Sequence, residues 1–259
     1  NHRRHYRPDN AYIILYGNLD ADRFLGFLDE RYLAPLAAKE RGPLDINPLG
    51  LQAPVAPEPV VVPMATAPEN ACAAVGFVIG RAAERERIVA ADILMDAIMG
   101  ANESPLKRAL LDAGIADDAI GYVADSVAQP FAVVSLRGAR PGAADALRAI
   151  VAAEARRLAE GGLDRELVRA ALSHAEFVMR ERNFGYPDGV VLAMSAMAGW
   201  LYSDDDPAAY LRFEDVFASL REKVEEGYFE ALLRELFLDN DHRACAEVVP
   251  TESDEAAEE

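Results

Sequence analysis

The sequence predicts an α+β domain of two layers, a mostly antiparallel sheet with helices packed on one face. Three observations carry that expectation. Two consecutive β-rich runs, residues 120–127 and 131–137, flank Gln129-Pro130 as the arms of a hairpin would. A hairpin breaks the strict strand–helix alternation that a doubly wound parallel sheet requires. After Pro141 the chain reads as almost wholly helical until a closing strand at 243–249. With 51% hydrophobic residues in 259, there is material for a real core, and global disorder is excluded.

The elements follow in order. Residues 11–16, AYIILY, form a short apolar run that Gly17-Asn18 ends in a turn. Asp20 stands where a helix N-cap belongs, and Leu19 and Phe24 have the spacing of a hydrophobic staple. Phe24, Leu25, Leu28, Tyr32 and Leu36 then continue at helical spacing for about five turns. A lone strand and helix cannot bury their own apolar faces. Seven prolines from Pro43 to Pro68 make most of the next stretch a linker, whose end, residues 60–66, reads as a strand at a sheet edge because of Pro63.

Residues 71–80 predict a strand, and 85–99 a helix with Ile88, Ala91, Met95, Ile98 and Met99 along one face. Ser104-Pro105 predicts an N-cap and first helical position, with Gly114 as the stop. Further helices are expected over 143–159, broken by Gly161-Gly162, and from an Asp164 cap to about residue 182. Three more follow over 190–201, 213–223 and 228–238. Residues 238–242, LDNDH, lead into the closing strand as residues 6–10, YRPDN, lead into the opening one, a weak internal repeat. The first strand therefore reads as the close of a preceding, similar domain.

A formal charge of -18 disfavours nucleic acid and suits either solubility or attraction of cationic ligands. No apolar run is long enough for a membrane span and no secretory signal is visible, so the expectation is a cytoplasmic chain with no membrane partner. Cys72 and Cys245, far apart in predicted strands, read as buried free thiols.

Chemistry is sparse. The four histidines are His2, His5, His174 and His242, and none pairs with another across one helical turn around a glutamate, as a zinc peptidase requires. Arg3 and Arg4 between His2 and His5 would oppose a dication. His174 sits mid-helix, where Glu176 and Arg180 form an i,i+4 ion pair and the structural reading prevails. There is no Gly-x-Ser-x-Gly elbow, no activated cysteine and no phosphate loop. Asp204-Asp205-Asp206 precedes a proline and reads as a solvated turn, and Trp200-Leu201-Tyr202 as a core anchor. The residues supply no self-sufficient active site.

Several stretches resemble one family. YRPDNAYIILYGNLD is similar to the segment that closes the first domain of insulinase-type (pitrilysin) metallopeptidases. SPLKRALLDAG at 104–114, HAEFVMRERNFGYPDGV at 174–190, WLYSDDDP at 200–207 and LFLDNDHR at 236–243 resemble its long-chain branch, the presequence proteases and falcilysin-like enzymes. The resemblance implies four similar α+β domains closing around a peptide-sized chamber. It also implies a zinc-dependent endopeptidase for unfolded or cationic peptides, with an inverted His-x-x-Glu-His motif early in the first domain.

On this alignment residues 1–40 are the terminal strand–helix unit of the preceding domain and 41–58 a linker. Residues 59–250 are a second, non-catalytic domain, and 251–259 an acidic tail. All metal-site positions then fall before Asn1 or after Glu259, so no catalytic or metal residue is assigned here, and substrate-binding residues stay unknown. Zinc is expected in the full-length parent and not in this segment, whose role would be chamber wall and support for the remaining domains. The alternatives are a scaffold subunit of the same fold that has lost its zinc motif, and an unrelated α+β binding module.

Overall fold

The structure, a computed structural model, describes residues 5–37, 50–182, 185–203 and 206–252. The chain divides into two compact units, residues 1–52 with 184–194 and residues 53–183 with 195–259. In the first, Pro8–Asn10 is a 3-10 turn and residues 11–16 run on without strand pairing. The strand expected there is not formed, because no neighbouring strand among the described residues takes its place in a ladder with it, and the ladder is what makes a strand. Helix α1 (Ala21–Leu28) starts at Asp20, whose carboxylate accepts from Arg23 N–H at 3.1 Å, as the cap predicts. It passes through a π-helical stretch, Asp29–Leu33, and resumes over Ala34–Ala37. None of its core-type residues is buried: Phe24, Leu25 and Phe27 are all exposed.

The second unit holds a five-stranded sheet of β1 (Val60–Ala65), β2 (Cys72–Val78), β3 (Asp118–Ala124), β4 (Phe131–Arg137) and β5 (Arg243–Thr251), in the order β1-β5-β2-β4-β3. The expected hairpin is β3–β4, and β2 pairs antiparallel with both β4 and β5. Only β1 runs parallel to its neighbour, β5, and the whole of the intervening domain serves as the crossover that such a pair needs. β1 lies at the edge, where Pro63 forfeits no ladder bond on its open side. β3 begins earlier than predicted because its pairing starts at Asp118 opposite Arg137, and Lys107 holds the Asp118 carboxylate at 3.3 Å.

The helices are α2 (Arg85–Met99), α3 (Pro105–Asp112), α4 (Ala143–Gly161), α5 (Arg165–Glu181), α6 (Asp188–Trp200), α7 (Glu214–Glu225) and α8 (Tyr228–Phe237). α2 buries the predicted face, and Ala90, Ile93, Leu94 and Ala97 besides. It lies between β3 and β4 on one side and α5, α7 and α8 on the others, which demands an apolar surface nearly all round. The glycine at Gly121 lets β3 approach it closely, since a Cβ there would stand 2.6 Å from Met95 Cε. Asp164 caps α5 through Glu166 N–H at 2.9 Å, as predicted. Ser104 does not cap α3; its hydroxyl accepts from Ala101 N–H at 3.1 Å and closes the preceding turn instead. α4 runs on to Gly161, so Gly162, at φ 90°, is the break.

Ala73, Val75 and Phe77 of β2 and Ala132, Val134 and Leu136 of β4 point into the core, with Leu147 of α4 and Phe229 of α8 above them, both almost fully buried. The opposite face of the sheet carries Ala74, Gly76 and Val78, Val133, Ile120 and Tyr122, and Ala246 and Val248. Charge enters that face only at one corner, at Asp118 and Arg137. The predicted acidic tail beyond Glu252, residues 41–49 of the proline-rich linker and the pair Asp204-Asp205 lie outside the described residues.

Candidate functional site

The structure describes three of the four histidines that the sequence singles out. His2 lies outside the described residues. His5 belongs to the first unit, where its carbonyl accepts from the Asn10 side-chain amide at 2.8 Å. The His242 N–H donates to Asn240 Oδ1 at 2.8 Å, and Asn240 Nδ2 donates in turn to the Val78 carbonyl, which ties the lead-in of β5 to β2. His174, exposed on α5, places Nδ1 3.5 Å from Asp96 Oδ2 on α2. Sequence reasoning placed His174 mid-helix beside the Glu176–Arg180 pair; its partner across the helix interface left no local signal.

Asp96 has Asp92 one turn before it on α2, and Asp125 lies beyond the end of β3. The Asp92 side chain keeps access to solvent, yet protein crowds its carboxyl, and burial first, then the charges of Asp125 and Asp96, pushes it up to about 6. A native carboxyl that titrates above its ordinary 3.8 binds the proton more tightly than the unfolded chain does. Stability therefore falls as pH rises from about 3.8 to about 6 and stays lower above. Asp92→Asn should raise the melting temperature at pH 7 and leave it unchanged below pH 4. Thermal melts at the two pH values check this, and an equal shift at both would contradict it.

Two other polar clusters are structural. Glu176, 7% exposed, receives Arg180 at 2.7 Å, the expected i,i+4 pair, and also Arg221 of α7. A buried carboxylate between two guanidiniums is satisfied and joins α5 to α7. At the start of α2, Arg85 donates to the carbonyls of Ala209 and Arg212 and lies 5.3 Å from the centre of the Tyr210 ring. Tyr210 donates its hydroxyl proton to the Ala82 carbonyl at 2.5 Å. Burial holds Arg85 below its ordinary value and pushes Tyr210 up to about 12, so neither changes charge near neutrality. Asp206 accepts from Ala208 N–H at 3.1 Å, as a solvated turn does.

Both cysteines are free, but only Cys245 is buried; Cys72 is half-buried, because it faces the side of the sheet without the core. Burial pushes the Cys245 thiol up, away from a reactive thiolate. Among the described residues no three His, Cys, Asp or Glu side chains are placed to hold a metal ion. His174 with Asp96 offers one nitrogen and one carboxylate. A zinc centre of the kind the resemblance implies does not fit these residues, and no chemical step runs through one here.

Comparison with known proteins identifies the family. Residues 1–174 match the family described as Peptidase M16 inactive domain. Protein HypA of Clostridium perfringens is 30% identical over 253 residues, which are 96% of this chain and 26% of that protein. The chloroplastic/mitochondrial presequence protease 1 of Arabidopsis thaliana is 30% identical over 159 residues, 59% of this chain and 15% of its own length. The chain thus spans about a quarter or less of these relatives. A crystal structure of a protease from Helicobacter pylori shares the fold with a TM-score of 0.69 at 17% identity, covering 96% of this chain and 57% of that one. With a family match over residues 1–174 and a packed α+β domain, the chain belongs to the M16 inactive-domain family of the insulinase-type metallopeptidases.

Proposed function

We propose that this chain is a non-catalytic part of a zinc-dependent endopeptidase that degrades unfolded, cationic peptides in a closed chamber, and that it serves as chamber wall and support. The observation that carries the reading is a continuous apolar core beside a polar inventory in which Glu176 and Arg85 bind structurally and no described cluster fits zinc. The inactive-domain match and the presequence protease relatives support it. So does the outer face of the sheet, apolar apart from the corner at Asp118 and Arg137, which is suited to another layer of the same polypeptide. A charge of -18 favours cationic peptides over anionic ones.

Residues 1–40 are read as the terminal strand–helix unit of a preceding domain, 41–58 as linker and 59–250 as the second domain. The β-rich composition of residues 11–16, which form no described strand, and the exposed apolar residues of α1 support this. The test is cleavage of a long, unstructured, basic fluorogenic peptide, with and without zinc and chelator. Expected is no cleavage by this chain alone and chelator-sensitive cleavage by the longer protein that contains it. Cleavage by the chain alone would overturn the non-catalytic assignment. A longer protein without peptidase activity would favour the scaffold subunit.

A further inference from the structure

A hollow of about 540 Å³ opens between α4 and the start of β5 in the second unit, and none of the interactions above uses it. Val75, Phe77, Val151 and Cys245 form an apolar floor, and the small side chains of Ala149 and Ala152 on α4 leave the space. Its mouth is charged in both signs, with Arg148 and Arg243 beside Asp145 and Glu58. These charges are poorly used within the fold. Arg148 reaches Asp145 only at 3.5 Å, and neither Arg243 nor Glu58 has a side-chain partner among the described residues. Arg243 is anchored through its backbone, its N–H donating to the Val55 carbonyl at 2.9 Å, which holds the side chain at the hollow.

An apolar floor of this size accommodates a small organic molecule. Two cations and two anions at the rim select one that carries both charges. We propose that the hollow binds short apolar peptides with both termini free, their side chains on the Val75–Phe77–Val151 floor, the carboxylate on Arg243 and Arg148 and the ammonium on Glu58 and Asp145. A purely anionic amphiphile such as a fatty acid would set its head group against Glu58 and Asp145, a repulsion the dipolar peptide avoids. Guanidinium–carboxylate bonds are the stronger half of the pairing. The site consists of this chain's own residues and stands whether or not the longer protein is a peptidase.

Calorimetric titration of the chain with the dipeptide Phe-Leu tests it, alongside Phe-Leu amide, N-acetyl-Phe-Leu and decanoate. Expected is saturable 1:1 binding of Phe-Leu, weakened about tenfold or more by amidation or by Arg243→Gln, and weakened less by acetylation. In a Cys72→Ser variant, saturating Phe-Leu should also slow the labelling of Cys245 by a thiol reagent several-fold, since that side chain lies in the floor. Absence of binding at about 10 mM, equal binding of the amide, or decanoate binding in preference to the dipeptide would each overturn the proposal. The ligand series needs no variant, so a folding defect in Arg243→Gln would leave the test intact.

Discussion

Phe77→Ala is expected to lower the unfolding free energy by about 3–5 kcal/mol. Phe77 lies on β2, the middle strand of the sheet, and is 4% exposed. Its ring meets that of Phe237 on α8 edge to face, with centroids 5.0 Å apart and an interplanar angle of 71°. Truncation therefore removes both the buried area and an aromatic pair worth about 1 kcal/mol beyond it. The neighbouring strands hold its backbone on both sides, opposite Ala132 and Arg243, so the sheet cannot collapse into the space. One side of the ring also floors the hollow beside α4, where water can enter and soften the loss toward the lower figure. Phe77→Leu, which keeps most of the volume, should cost under about 1.5 kcal/mol. Urea unfolding followed by circular dichroism measures both. A loss below about 1 kcal/mol for the alanine variant would mean that this ring is not part of the core that joins α8 to the sheet.

What could be read in the sequence was what is decided locally. Asp164 announces the start of α5 because a cap acts within one turn, and Pro63 announces an edge because a missing N–H is a property of one residue. The spacing of Glu176 and Arg180 foretells their bond, but Arg221, which completes it, comes from a different helix. The same holds for Asp96 with His174 and for Arg85 with the carbonyls of Ala209 and Arg212. Those partners are selected by tertiary packing and leave no periodic trace. The strand reading of residues 11–16 went wrong for the opposite reason: β propensity is local, whereas a strand needs a neighbour. The hollow was not legible, since its walls come from the linker, α4, β2 and β5.

Glu247 is the residue on which pattern and structure conflict most usefully. In a closing strand whose alternate side chains Cys245 and Glu247 face the core, a carboxylate violates the binary pattern. It is 3% exposed, and its two oxygens accept from Gly142 N–H at 2.7 Å and Ala144 N–H at 3.1 Å. These donors stand at the first turn of α4, where Gly142, held at φ 77°, has no side chain with which to cap. The strand thus supplies the cap that the helix lacks, and the carboxylate also meets the positive end of the helix dipole. Glu247→Ala should cost about 3 kcal/mol, through a buried Ala144 N–H left without a partner and a charge-assisted bond lost. The Gly142 N–H, nearer the surface, can turn to water and adds little. Glu247→Gln keeps one acceptor but turns an NH2 group toward a second donor, so a loss of about 1–2 kcal/mol is expected. The ranking, wild type over glutamine over alanine in urea unfolding, separates this role from simple packing. A glutamine variant as stable as the wild type would show that volume, and not charge at the helix terminus, is what the position requires.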